Sequence, residues 1–168
     1  MVFSATVSST VALTMYLMVH PSVPAANVAE FVQYAKANPG KLNFGTAGTG
    51  TALHIAAEMM KREAGFQATH VPYKGAGPAM TDLLGGQVQF VFDPGVGLSH
   101  AREGRIRLLG VSSAERHPDF PNVPTMVESG YRSVDGGPLF GFYAPKGAPA
   151  ALVTRLNTEV NKALNAPD

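Results

Sequence analysis

From Asn27 onward, helix-like and strand-like segments alternate over short, glycine-bearing loops, and that alternation confines the chain to α/β folds built on a parallel sheet. Two parallel strands cannot be joined by a tight turn; they need a crossover, usually a helix that then covers a face of the sheet. Asn27 and Glu30 form a capping-box pattern, and Val28, Phe31, Val32 and Ala35 recur at helical spacing until Asn38-Pro39-Gly40 stops them. Leu42-Asn43-Phe44 reads as a strand running into Gly45-Thr46-Ala47-Gly48-Thr49-Gly50-Thr51, after which ALHIAAEMMKREA is a helix ended by Gly65 at C′. The pattern repeats: a strand over 68–73, a helix that Pro78 opens and Gly85-Gly86 closes, a strand over 88–92, a helix over 98–102 and a strand over 106–111. Thr125 and Glu128 form a second capping box and predict a short helix before Gly130. A strand over 139–144 and a helix with Leu152, Leu156, Val160 and Leu164 on one face complete the chain. The predicted fold is an open, mainly parallel α/β sheet flanked by helices.

Composition agrees with a packed domain. Of 168 residues 45% are apolar, which excludes disorder despite 18 glycines and 13 prolines. Thirteen basic and twelve acidic residues give a formal charge of +1 without a Lys/Arg cluster, so there is no electrostatic footprint for nucleic acid. The absence of cysteine removes disulfides, thiolate nucleophiles and Cys-ligated metals. The apolar run VALTMYLMV at 11–19 is too short to span a bilayer and has no basic residue ahead of it, the first being Lys36, so it reads as a buried strand.

Ligands of open α/β sheets bind at the carboxyl ends of the strands, which selects three loops. Thr46–Thr51 combines small residues, hydroxyls and the partly positive N-terminus of the following helix, a setting for a carboxylate or phosphate or simply a tight βα turn. It is neither a Walker loop, because Thr51 stands where the lysine belongs, nor a dinucleotide fingerprint, because Leu53 stands where the third glycine belongs. In the second loop Tyr73 offers a phenol and Lys74 an ammonium; in the third, Asp93 is either an acceptor for a ligand or the cap of the next helix. The histidines 20, 54, 70, 100 and 117 show no paired metal spacing, and no G-x-S-x-G elbow occurs. His54 falls near the first turn of the glycine-loop helix, where it faces the pocket or packs.

Taken together, LNFGTAGTGTALHIAAEMMKREAG, THVPYKGAGPAMTDLLGGQVQFVFD, GRIRLLGVSSAERHPDFPNVPTMVESG and FGFYAPKGAPAALVTRLNTEVNKAL strongly resemble the Bug or TctC family, the periplasmic solute-binding receptors of tripartite tricarboxylate transporters. The order and spacing of VPYKG, DLLGGQV, FD and VPT-x-x-E-x-G carry the resemblance from about Thr10 onward. It implies a type II periplasmic-binding-protein fold, here an incomplete Venus flytrap. The implied function is non-enzymatic binding of a small carboxylated solute, without metal or cofactor, for delivery to membrane permease subunits. It implies contacts from Thr46, Ala47, Gly48, Thr49, Gly50 and Thr51, with Tyr73 and Asp93 lining the same cleft. Relatives often carry Asn where this chain has Thr49 and Pro94, while Phe140 before Gly141 meets the family's aromatic pattern.

The same resemblance divides the chain into a crossover strand over 1–20, a second ligand-binding domain over 21–138, and a strand and helix over 139–168 returning towards a first domain. Relatives extend further at both ends. Apolar residues of 11–19 and 152–164 are therefore expected to be exposed or covered by another chain, which makes self-association through that face an expectation. Two other readings compete: a stand-alone interaction or sensor module, and an α/β enzyme acting on an anionic substrate with a nucleophile–base pair beside Thr46–Thr51.

Overall fold

The structure is a computed structural model, and it describes residues 3–134 and 139–166; the side chains of residues 3–12, 139 and 140 fall outside that description. By contacts the chain divides into two units, Met1–Leu13 with Pro138–Asp168 and Thr14–Gly137.

The larger unit holds a five-stranded sheet. Its strands are β2 (Tyr16–Val19), β3 (Asn43–Thr46), β4 (Thr69–Pro72), β5 (Phe90–Asp93) and β6 (Arg107–Val111), in the order β4-β3-β5-β2-β6. β3 pairs parallel with β4 and β5, and β2 pairs antiparallel with β5 and β6, so four strands share one direction and β2 opposes them. The helices are α1 (Val28–Ala37), α2 (Ala52–Ala64), α3 (Ala76–Leu84) and α4 (Leu98–Arg102). No helix among the described residues is long and apolar enough to cross a membrane.

Strand periodicity partitions the core. In and before β2, Met15, Leu17 and Val19 join Phe31, Phe44, Phe90 and Phe92 on one face, while Tyr16 and Met18 join Met80, Leu83 and Val91 on the other. A strand covered on both faces must be apolar at every position, which is why Tyr16–Val19 reads as a continuous run. β6 accommodates β2 by an irregularity: Leu17 opposes Gly110 and Met18 opposes Leu108, leaving Leu109 as the extra residue. A Cβ at Gly110 would lie 2.7 Å from Met126 Sδ and 3.3 Å from Val28 Cγ2, so a larger residue there would displace the buried Met126 side chain. Phe90 anchors the first face, with ring centroids 5.1 Å from Phe31, 5.3 Å from Phe44 and 6.1 Å from Phe66.

Local signals account for most boundaries. Asn27 caps α1, its side chain accepting from Glu30 N–H at 2.9 Å, while the Glu30 carboxylate accepts from Ala26 N–H at 2.7 Å. Gly65 ends α2 in the left-handed region, with φ of 70°. Three expectations need correction. The run over 11–19 is divided between two strands, β1 (Phe3–Ala12) and β2, and Met15–Val19 is buried rather than exposed because β2 lies between β5 and β6. α3 begins at Ala76 with Gly75 as its cap, which puts Pro78 at the third helical position, still within the turn that needs no intrahelical N–H. Thr125 and Glu128 do form their reciprocal pair, at 3.0 and 2.7 Å, but the segment closes as a turn without continuing into a helix.

In the smaller unit, β1 pairs antiparallel with β7 (Leu139–Pro145), and α5 (Ala150–Leu164) lies against β1. α5 buries none of its residues; Leu152, Leu156 and Leu164 are 48%, 41% and 52% exposed.

Phe90→Ala leaves a cavity among three other aromatic rings and should cost about 3–5 kcal/mol, read as a lower denaturant midpoint with an unchanged slope.

Candidate functional site

The shared direction of four strands gathers their carboxyl ends at one edge of the larger unit. Thr46 ends β3 opposite Pro72, which ends β4, and Tyr16 at the start of antiparallel β2 lies opposite both Asp93 and Val111. The three loops selected from the sequence therefore leave from one edge.

The loop over 46–51 is fixed from below by its own hydroxyls. Thr46 is fully buried; its Oγ1 accepts from Gly48 N–H at 3.2 Å and lies 2.7 Å from His70 Nε2. Thr51 donates from Oγ1 to the Gly48 carbonyl at 2.7 Å, so both hydroxyls converge on Gly48. Gly48 sits at φ of 129° with Tyr73 O 3.5 Å from where a Cβ would be, and Gly50 sits at φ of 79°. Ala47 is half-buried, and Thr49 and Gly50 are exposed. Thr51 occupies the N-cap of α2 in extended conformation but makes no side-chain cap bond. The first-turn N–H groups of Ala52, Leu53 and His54, which helix geometry leaves without intrahelical acceptors, are consequently uncapped, and the positive end of the helix lies beside the exposed Thr49-Gly50 turn.

The other two candidates brace loops. The Tyr73 hydroxyl donates to Asp82 Oδ2 at 2.6 Å, its ring packs over Gly45, and burial followed by the Asp82 carboxylate pushes its pKa up to about 12. At this edge its backbone rather than its phenol adjoins the glycine loop, through Tyr73 N–H to the Thr46 carbonyl at 3.0 Å. Asp93 is buried, and its Oδ2 accepts from Gly95 N–H at 2.7 Å and Gly97 N–H at 3.0 Å. Burial raises its pKa and these backbone donors oppose the rise. Gly97 is the N-terminal neighbour of α4, so Asp93 ties the whole connection to the strand end.

Sequence reasoning left two contributors unassigned. His54 Nδ1 accepts from Gly50 N–H at 3.1 Å, and the His54 and His70 rings stack with centroids 3.9 Å apart and 14° between planes. Parallel pairing of Phe44 with His70 places those side chains on one face, where the rings stack at 5.0 Å. His54 had a legible signal, the third position of its helix; His70 had none before the register of β3 and β4 was known. A recess of about 600 Å³ lies elsewhere, lined by Ala114, Arg116, Thr125 and Glu128 among others. Its guanidinium is already paired with Glu128, Nε to Oε2 at 2.9 Å. Among the described residues no three His, Asp or Glu side chains gather as a metal site.

Residues 4–168 match the family described as the tripartite tricarboxylate transporter family receptor. A protein of Pseudomonas sp. strain P51, from the tcbD-tcbE intergenic region, is 40% identical over 147 residues, which span 84% of this chain and 43% of that protein. The periplasmic binding protein BugD superposes with a TM-score of 0.86 at 33% identity, covering 96% of this chain and 55% of that one. R. palustris Rpa4515 with adipate gives 0.84 at 33% identity (98% and 55%), and MatC of Rhodopseudomonas palustris with bound malate gives 0.81 at 32% (94% and 55%). The chain thus spans about half the length of the proteins it matches.

Asp93→Ala strands two backbone donors and should lower stability by about 3 kcal/mol, whereas Asp93→Asn, which keeps an acceptor oxygen, should retain most of it; chemical denaturation separates the two.

Proposed function

The chain belongs to the tripartite tricarboxylate transporter family of receptors, and from that premise we propose that it binds a small carboxylated solute through backbone amides of Thr46–Thr51 and the first turn of α2. The observation that carries this reading is the uncapped N-terminus of α2 beside a loop whose Thr46 and Thr51 hydroxyls are turned inward. A carboxylate there supplies the acceptors that the helix lacks, with the helix dipole adding about 0.3–1 kcal/mol at an exposed site. Adipate and malate in similar structures support a dicarboxylate as the solute class. Ala47, Gly48, Thr49, Gly50 and Thr51 form the contacting surface; Thr46, Tyr73 and Asp93 hold that surface and its neighbouring loops in place.

In this reading the protein is a binding protein rather than an enzyme, since the polar side chains at the strand ends serve as loop braces. It works in the periplasm and passes its solute to membrane permease subunits. Residues 21–138 act as the second ligand-binding domain, 1–20 as the crossover strand, and 139–168 as the return towards a first domain. A thermal-shift screen of the chain tests the proposal: malate or adipate should raise the melting temperature, and Gly48→Ala, strained at positive φ, should weaken that response at least tenfold in concentration. A flat response to every di- and tricarboxylate overturns it.

The exposed Leu152, Leu156 and Leu164 favour a second reading for α5, a face that a second copy of the chain covers. Light scattering should then show a dimer that Leu152→Glu and Leu156→Glu together convert to monomer; a monomer at every concentration counts against it.

A further inference from the structure

The loop assigned to carboxylate binding stands on two imidazoles. His70 reaches it through Thr46 Oγ1, and His54 reaches it through Gly50 N–H. An amide can donate only to a ring nitrogen that carries no proton, so His54 Nδ1 is bare and its ring proton is on Nε2, 3.8 Å from Glu58 Oε1. His54 is the third residue of α2, the position from which a Glu or Gln commonly reaches back to accept an N-terminal amide. Here that acceptor is an imidazole, the side chain whose charge changes between about pH 5 and 8.

The surroundings define what one added proton does. On α2, Glu58 faces His54 and is itself bridged to Lys61 at 2.7 Å, Lys61 lies over the Phe44 ring, and Arg62 shares a surface recess with His54 and Glu58. From β4, His70 lies stacked on His54, and from β3 Phe44 contributes no titratable group. Burial, then the neighbouring His54, holds the His70 ring below the usual histidine range. At 3.9 Å two imidazolium rings repel, so the stack accepts a single charge, and Glu58 gives a charged His54 the nearest anionic partner. The two loop contacts respond differently to a proton. A doubly protonated His70 can donate from Nε2 to Thr46 Oγ1, so that contact survives, whereas a doubly protonated His54 sets Nδ1–H against Gly50 N–H, and that bond opens.

We infer that His54 is a positioning residue for carboxylate binding: its unprotonated Nδ1 holds the Gly50 turn, and protonation of the ring releases that turn and weakens binding. The inference rests on the loop over 46–51 being the carboxylate site. Backbone amides hold an anion well only when already ordered, and opening the Gly50 bond transfers the cost of ordering the turn to the ligand.

Two measurements on the 168-residue chain test this. Without ligand, the Gly50 amide resonance should shift with an inflection shared by the His54 ring protons, and His54→Gln, which keeps an acceptor but does not titrate, should abolish the inflection. A Gly50 resonance that stays flat while the His54 ring titrates overturns the inference. With malate or adipate, affinity should fall about fivefold through the same inflection, the worth of one net hydrogen bond, and His54→Gln should flatten the profile. An affinity that is flat or rises on acidification overturns the coupling. If Gly50 titrates as expected but neither acid binds, the bracing by His54 stands and the assignment of the loop as a carboxylate site fails.

Discussion

The structure depends on the burial of β2 and β5 on both faces of the sheet. Backbone groups there have no water to bond, so each strand is paired on both edges and apolar throughout except at Asp93, which ends β5. Phe90 and Phe92 fill one face and Val91 the other, and the same alternation in β2 welds α1 and α2 to one side and α3 and α4 to the other. With the middle of the sheet committed to packing, polar chemistry is displaced to the strand ends. There four parallel carboxyl termini open into loops that the core holds but does not fill.

Those loops are built by a common device. A polar side chain at or just beyond a strand end turns back to satisfy backbone amides or a neighbouring helix, instead of projecting outward. Thr46 does this for Gly48 and Asp93 for Gly95 and Gly97, while Tyr73 reaches Asp82. The result is a surface whose exposed donors include main-chain amides of the glycine loop beside the Thr49 hydroxyl and the Lys74 ammonium. Such amides have little conformational entropy left to lose, which suits recognition of a carboxylate by position rather than by a matching cation. Tyr73 is held neutral by burial and Asp82, and the cost of burying the Asp93 carboxylate is offset in part by the backbone donors of Gly95 and Gly97.

The histidine pair refines this arrangement. A loop braced only by hydroxyls would be indifferent to pH, whereas one braced through His54 Nδ1 is sensitive to a single proton. His70 stacks against both His54 and Phe44 and also contacts Thr46.

Local chemistry made much of this legible in the sequence. The Asn27 and Gly65 caps, the glycine loop at 45–51 and the helical spacing of α1 and α5 act within a few residues, so periodicity and capping rules suffice for them. The family was legible too, because motif order and spacing survive without any knowledge of contacts. Pairing was not. Nothing local marks β2 as the one strand running against its neighbours, divides 11–19 between two sheets, or makes Leu109 the extra residue that Gly110 allows. Nor does the sequence say whether Thr46, Tyr73 and Asp93 point out to a solute or in to the protein. Strand order and register decide that, because they alone determine which backbone amides lie within reach of each side chain. Local sequence places these residues at the strand ends; strand order and register turn the side chains of Thr46, Tyr73 and Asp93 inward to hold the loops and leave Thr49 and Gly50 exposed.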